Sequence, residues 1–274
     1  MNEIINELRK EYHNITLLTQ NNEGCISARM RGFLMATGTY CTTVDADDYV
    51  SDDYVDIINN LLKHNEDIDY FLFNNFRNDL GPEIFIKERV ISEMKTSDKH
   101  ILLKQIVFEN ESGIWNKVFR TDLMKETAKV LQPYYSVIYG DDQIINVAYI
   151  QNSMVKRAII KDVAVYYHYK EMGVTGNKRI AKCLVDTIKL MQYYDEIVLQ
   201  DSKYEKRVSS DIIYNIVRSI AALVRRMNEE KKEIIIEKTN LLNVKKKMKK
   251  YKIYRLNHLL SKIYFEIIML MKVR

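Results

Sequence analysis

A run of β-formers, Tyr40 to Val44, delivers the chain into Asp45-Ala46-Asp47-Asp48, and this junction limits the fold more than any other stretch. The extended run stops at Val44, so Asp45 sits at the C-terminal end of a strand, where open α/β sheets bind their ligands. Side chains of an extended segment repeat every two residues, so Asp45 and Asp47 can point to one side. Two such carboxylates make a poor core but a good seat for a hard divalent cation with room for a substrate phosphate. The same residues equally fit an acidic loop that caps the helix opening at Asp52 and Asp53.

The surrounding chain supports an α/β layer fold. Ile4, Ile5 and Leu8 have helical spacing, and Ile15 to Leu18 has the composition of a short strand. A helix is expected over 25–37 with Ile26, Met30, Phe33 and Leu34 on one face, and Gly38 fits a left-handed cap past its end. An amphipathic helix is expected over 52–64, with Val55, Ile58, Leu61 and Leu62 inward, then a buried strand over 69–75. Helix and strand alternate three times, which argues layered α/β packing. Further on, 84–91 reads as an edge strand, 97–108 as a helix and 113–120 as β-like. Thr121 opens a short helix, and Tyr139-Gly140-Asp141-Asp142 is a second acidic turn before a helix from Gln143. Residues 155–160 and 163–169 read as paired strands. Residues 179–200, 202–229 and 252–273 show helical periodicity, and the change of pattern sets a boundary near 178: a first region over 1–178 and a helical region over 179–274.

Composition excludes several classes. Of 274 residues 47% are hydrophobic and 29% charged, ordinary proportions for a globular protein. Cys25, Cys41 and Cys183 are scattered and odd in number, so neither a zinc site nor a disulfide framework is implied, and a reducing cytoplasm is the simplest setting. Residues 1–10 do not form a signal peptide. No apolar run approaches the ~20 residues needed to span a bilayer. An EF-hand counted from Asp45 needs Gly at the sixth position and Glu at the twelfth; Val50 and Asp56 stand there. The aspartyl-phosphatase D-x-D continues with Thr or Val where this chain has Tyr49.

The stretch GCISARMRGFLMATGTYCTTVDADD, residues 24–48, with WNKVFR at 115–120 and YGDDQIIN at 139–146, resembles glycosyltransferase family 2 of the GT-A fold. Three landmarks in the family's order, over roughly residues 1–170, are more specific than any one alone. The resemblance implies a GT-A, Rossmann-like mixed sheet flanked by helices, with a C-terminal helical extension. It implies an inverting, metal-dependent transfer of a sugar from a nucleotide-diphospho-sugar, a UDP-sugar in first place, to a glycan or lipid-linked acceptor. Capsule, exopolysaccharide or other cell-surface polysaccharide synthesis is the implied setting.

Residue by residue, Asp45 would contact the nucleotide, and Asp47 with Asp45 would hold Mn²⁺ or Mg²⁺. Asp142 matches the general base, with Asp141 standing where the family more often has Glu. Arg29 falls on the family's diphosphate-contacting Arg, although a surface helix arginine is an equal reading. Trp115, Asn116 and Lys117 would line the donor-sugar and acceptor region. His168 could complete the metal shell, against the alternative of a packed strand histidine. Met30 departs from the family's Asn. The family's first strand and its Asp-Asp-Gly-Ser strand end have no counterpart, so the fold is expected to lack an N-terminal βαβ segment.

Lys245, Lys246, Lys247, Lys249, Lys250 and Lys252 precede Ile253, Leu256, Leu260, Ile263, Ile267 and Leu270, which recur at three- and four-residue steps. Such a basic, amphipathic helix fits a membrane surface, placing the chain in the cytoplasm or peripherally on the inner membrane face; it equally fits a helix packed on the protein with its lysines solvated. Nucleic acid is not an expected partner, since aromatic interleaving is absent. The rival function is a truncated, non-catalytic family relative acting as a binding or scaffolding partner at the membrane.

Overall fold

The computed structural model describes residues 2–46, 48–65, 67–78, 93–108, 112–137, 140–152, 158–169, 180–194, 206–229, 238–253 and 256–272. Its order is α1 (Asn2–Glu11), α2 (Cys25–Met35), β1 (Tyr40–Thr42), β2 (Tyr49–Val50), α3 (Tyr54–Lys63), β3 (Tyr70–Asn78), β4 (Glu93–Thr96), α4 (Lys99–Phe108), β5 (Lys117–Arg120), α5 (Thr121–Leu131), a 3-10 turn (Gln132–Tyr134), α6 (Asp141–Asn152), β6 (Ala158–Tyr169), α7 (Ile180–Tyr193), α8 (Lys206–Glu229), α9 (Lys238–Lys250) and α10 (Leu256–Lys272). Helices and strands form the expected α/β architecture, a mixed sheet flanked by helices and followed by helices.

The sheet runs β1-β5-β3-β6-β2, with β4 also on β6. β5 is antiparallel to both β1 and β3, and β3 is parallel to β6. The C-terminal ends of β1, β3 and β6 therefore share one edge of the sheet with the N-terminal end of β5. That edge gathers Asp45, which follows β1, and Trp115-Asn116-Lys117, which enters β5.

Alternation along the strands explains the layers. Tyr70, Leu72 and Phe119 point into a core with Ile26, Met30 and Phe33 of α2, Met124 of α5 and the buried face of α6. Phe71, Phe73 and Val118 point the other way, onto Tyr54 and Leu61 of α3. A period of two thus buries both faces of the sheet. The first core continues without a break into Ile188, Met191, Ile213, Val217, Val244 and Phe265 of the C-terminal helices.

Several local expectations change. Residues 15–18 pair with no described strand; Ile15 and Leu17 are half-buried while Thr16 and Leu18 are exposed, an extended segment without a ladder. Gly38 is not left-handed; α2 ends because Ala36 turns extended, its N–H bonding Gly32 O and Phe33 O. Leu34 and Val55 face solvent, and Tyr54 with Ile57 takes the inward stripe expected of Val55. β6 is one strand, not two. Lys161 and Asp162 stand between the two expected strands, but the pairing with β3 steps from Phe73 opposite Lys161 to Asn74 opposite Ala164, so a bulge takes up Asp162 and Val163 and the strand continues. The edge strand expected over 84–91 lies outside the described residues. Cys25 is exposed, Cys41 half-buried and Cys183 buried.

Candidate active site

Four elements bring acidic and basic groups to the shared edge. Thr42, the last residue of β1, donates its hydroxyl to Lys117 O at 2.7 Å and shares a 2.9 Å hydrogen bond with the Tyr54 hydroxyl. β1 is thereby lashed to β5 and α3 where the acidic turn begins. The turn closes on itself, Asp48 N donating to Asp45 O.

α2 carries Arg29 to the same place. Ile26, Met30 and Phe33 pin one side of the helix to the core, leaving the Arg29 side chain half-buried beside them. Gly24 opens α2 at φ 100°, ψ 166°, a region open essentially to glycine alone. A Cβ there would stand 2.5 Å from Tyr135 O, so glycine lets α2 start against the segment leading to α6. Gly24→Ala is expected to cost at least ~1–3 kcal/mol from backbone strain alone, measured by urea unfolding. A loss under ~0.5 kcal/mol, the range of an ordinary surface change, would contradict this account.

Gly140, at φ 76°, sets the start of α6, and Ile144 N donates to its carbonyl. Asp141 and Asp142 are the first two residues of α6 rather than a turn ahead of it. Behind them Ile144, Ile145, Val147, Ala148, Tyr149 and Ile150 are fully buried, so the helix is fixed through the core. Asn146, one turn on from Asp142, donates to Ser112 O at 2.7 Å and to Asp142 O at 2.9 Å. Asn146 closes the YGDDQIIN stretch but had been given no role; the signal for one was its i, i+4 spacing from Asp142 on a buried face.

Arg29 joins the two acidic motifs. Its Nη1 donates to Asp141 Oδ2 and Asp142 Oδ1, each at 2.6 Å, and its Nη2 to Asp45 Oδ1 at 3.1 Å. Burial opposes its charge, but Asp142, Asp141 and Asp45 together hold the guanidinium more firmly protonated than usual. One cation faces three carboxylates, so negative charge is in excess. Burial first, then the neighbouring Asp141 charge, pushes the Asp142 carboxyl up to about 7, although Arg29 pulls the other way. Burial likewise raises Asp141.

Trp115 folds back over Gly113, where a Cβ would fall 2.4 Å from the indole. Asn116 and Lys117, expected to line the donor region, are wholly buried and brace the wall. Asn116 Nδ2 donates to Phe73 O at 2.8 Å; Lys117 Nζ donates to Gly113 O and to Asn116 Oδ1. Lys117 is still near enough to act on the charge of Asp142. Asp47 lies outside the described residues. His168 lies in β6, one residue beyond Tyr167, which pairs with Tyr49 of β2 just after the acidic turn; its side chain is outside the described ones.

Among the described residues no group of three or more His, Cys, Asp or Glu side chains forms a cage for a metal ion. The chemistry at the edge nevertheless suits Mg²⁺ or Mn²⁺ held by one or two carboxylates and substrate phosphates: oxygen donors, and more negative charge than Arg29 balances.

Residues 1–129 match the model of glycosyl transferase family 2. The matched segment contains Arg29 and Asp45 and ends within α5, before Asp141 and Asp142. No curated protein matches the chain. Among solved structures it is similar to S. aureus TarS 1-349 in complex with UDP-GlcNAc, at 14% identity over 93% of this chain and 80% of that one, with a TM-score of 0.47. The same TarS 1-349 in complex with UDP gives 17% identity, the same coverage and a TM-score of 0.46. A longer S. aureus TarS structure gives 16% identity over 81% of this chain and 42% of that one, with a TM-score of 0.45.

Proposed function

We propose that this chain, whose residues 1–129 match glycosyl transferase family 2, is an inverting transferase that moves a sugar from a UDP-sugar to a glycan or lipid-linked acceptor, in the synthesis of capsule, exopolysaccharide or another cell-surface polysaccharide. The observation that supports it most is the one guanidinium of Arg29 bonded to both Asp45 and Asp142. It sets the strand-end acid and the helix-start acid within one side chain's span.

In this reading Asp45 faces the nucleotide, and Arg29 supplies positive charge to the diphosphate. Asp47 with Asp45, and His168 on the flanking strand, would hold Mn²⁺ or Mg²⁺, which when bound would supply positive charge to the diphosphate leaving group. Asp142 takes the proton of the acceptor hydroxyl. The oxygen bonds the anomeric carbon as the bond to the diphosphate oxygen breaks on the opposite side, so the centre inverts and UDP leaves. A carboxyl held near neutrality by burial is well matched to that proton transfer. Asp141 keeps Asp142 basic through its own charge, while Trp115, Asn116 and Lys117 fix the wall behind it.

Calorimetry with UDP and Mn²⁺ tests the reading. Micromolar binding is expected, weakened by chelation. Asp47→Asn should remove the metal dependence and abolish transfer while the thermal unfolding curve stays that of the parent. Absence of UDP binding by the folded chain would sink the transferase reading and favour a scaffolding role.

A further inference from the structure

Helix α10 has the reverse polarity of an ordinary surface helix. Its inward face carries His258, Ser261 and Phe265, all buried. His258 Nε2 lies 2.6 Å from Asp211 Oδ1 of α8, and its ring stacks on Tyr214 at 4.8 Å. Its outward face carries Leu259, Leu260, Ile263 and Ile267, between 39% and 53% exposed. Ile253, just ahead of the helix, is exposed as well. At helical spacing 260, 263 and 267 fall on one stripe, which runs ~12 Å from 259 to 267 at the helical rise. The packed-helix alternative would have turned these side chains inward, as α2 turns Ile26, Met30 and Phe33.

The lysines stand beside that stripe. Lys245 Nζ lies 2.7 Å from Glu266 Oε2, which ties α9 to the flank of α10 one turn from Ile263. Lys246, Lys249, Lys250 and Lys252 are exposed. Between 245 and 267 the chain has eight Lys and Arg residues against the single acid Glu266.

We infer that the outward stripe of α10, with the lysines of α9 beside it, docks on an anionic lipid surface. The charge selects this occupant. A second copy seated on the stripe by two-fold symmetry would bring two lysine clusters together, and like-charge juxtaposition opposes that contact. An anionic leaflet attracts the lysines and takes up the narrow apolar strip at interfacial depth. No described helix is long and apolar enough to cross a membrane, so the contact lies along the surface. This surface is independent of the transferase reading.

Flotation of the full chain with phosphatidylcholine vesicles, with and without about a third phosphatidylglycerol, tests the inference. Binding is expected to be about tenfold stronger to the anionic vesicles and to weaken with salt. The pair Leu260→Asp and Ile263→Asp should lower it about tenfold, and so should Lys249→Glu with Lys252→Glu. Circular dichroism checks that the variants fold. Should the aspartate pair not fold, Ile263→Trp reports instead, its emission moving to the blue on anionic vesicles only. The inference is overturned by no binding to either vesicle, by equal binding of the parent and the stripe variant, by an unshifted emission from the Ile263→Trp variant, or by a dimer that the stripe variant dissolves.

Discussion

Asp142→Asn should lower sugar transfer by about 10²–10⁴-fold, the usual contribution of a positioned general base, while UDP binding stays within a few fold. The amide keeps an oxygen for Arg29 to donate to, so the geometry at the start of α6 should survive. The pH dependence separates a base from a merely structural acid. With the Asp142 carboxyl held at about 7, kcat/KM of the parent should rise with pH through neutrality, as the ionised form does the work. Asp141→Asn removes one of the three causes of that elevation, which are burial and the charges of Asp141 and Asp45, so it should move the inflection to lower pH without abolishing turnover. Stability should change in the opposite sense. Asp142 has a folded pKa above its ordinary value of 3.8, so its protonated form favours the native state. That contribution is present at low pH and is lost as pH rises through about 7. Asp142→Asn cannot ionise, and at pH 8 it should be more stable than the parent by on the order of 1–3 kcal/mol, the difference shrinking toward pH 4. A variant that turns over normally, or one less stable than the parent at pH 8, would remove Asp142 from the assigned role.

The parts of the fold that were legible in the sequence are those where a local pattern and the tertiary environment agree. The strand before Asp45, the helix carrying Arg29 and the helices α7, α8 and α10 form where the pattern predicts them, although the strand ends at Thr42 rather than Val44 and Leu34 turns to solvent. The failures arise where a distant partner decides. Val55 is exposed because Tyr54, polar by composition, buries its ring and bonds Thr42 of β1 from the helix. Lys161-Asp162 reads as a break between two strands because nothing local announces that β3 will accept a bulge there. β4 (Glu93-Met-Lys-Thr96) has no apolar alternation and is a strand only because β6 offers it a partner. The candidate site shows the same division. Both acidic motifs were visible, and so was Arg29, but its bond to Asp141 crosses 112 positions of chain, a closure no spacing rule supplies.

Arg29→Ala is the substitution expected to damage the molecule most. It would leave Asp45, Asp141 and Asp142 facing one another without the guanidinium that bonds all three. Removing one partner of a buried charge cluster costs about 3–5 kcal/mol, because the remaining charges keep their desolvation and lose their compensation. Uptake of a proton by Asp142 relieves part of this, so the loss should be larger at pH 8 than at pH 5. Chemical denaturation at the two pH values measures it. Arg29→Lys keeps the charge but not the fork: an ammonium cannot repeat three directed contacts from two nitrogens, so it should restore only part of the stability. Donor binding adds a second readout. A divalent cation offered to Arg29→Ala meets three carboxylates that have lost the guanidinium bonded to all of them, so the variant should bind Mn²⁺ without nucleotide more tightly than the parent, and gain thermal stability from it. The parent, whose guanidinium already occupies the centre of the cluster, should gain less from the metal alone and more from metal with UDP. A loss under ~0.5 kcal/mol at both pH values would mean that Arg29 is an ordinary surface residue, and the joining of the two acidic motifs would lose its physical basis.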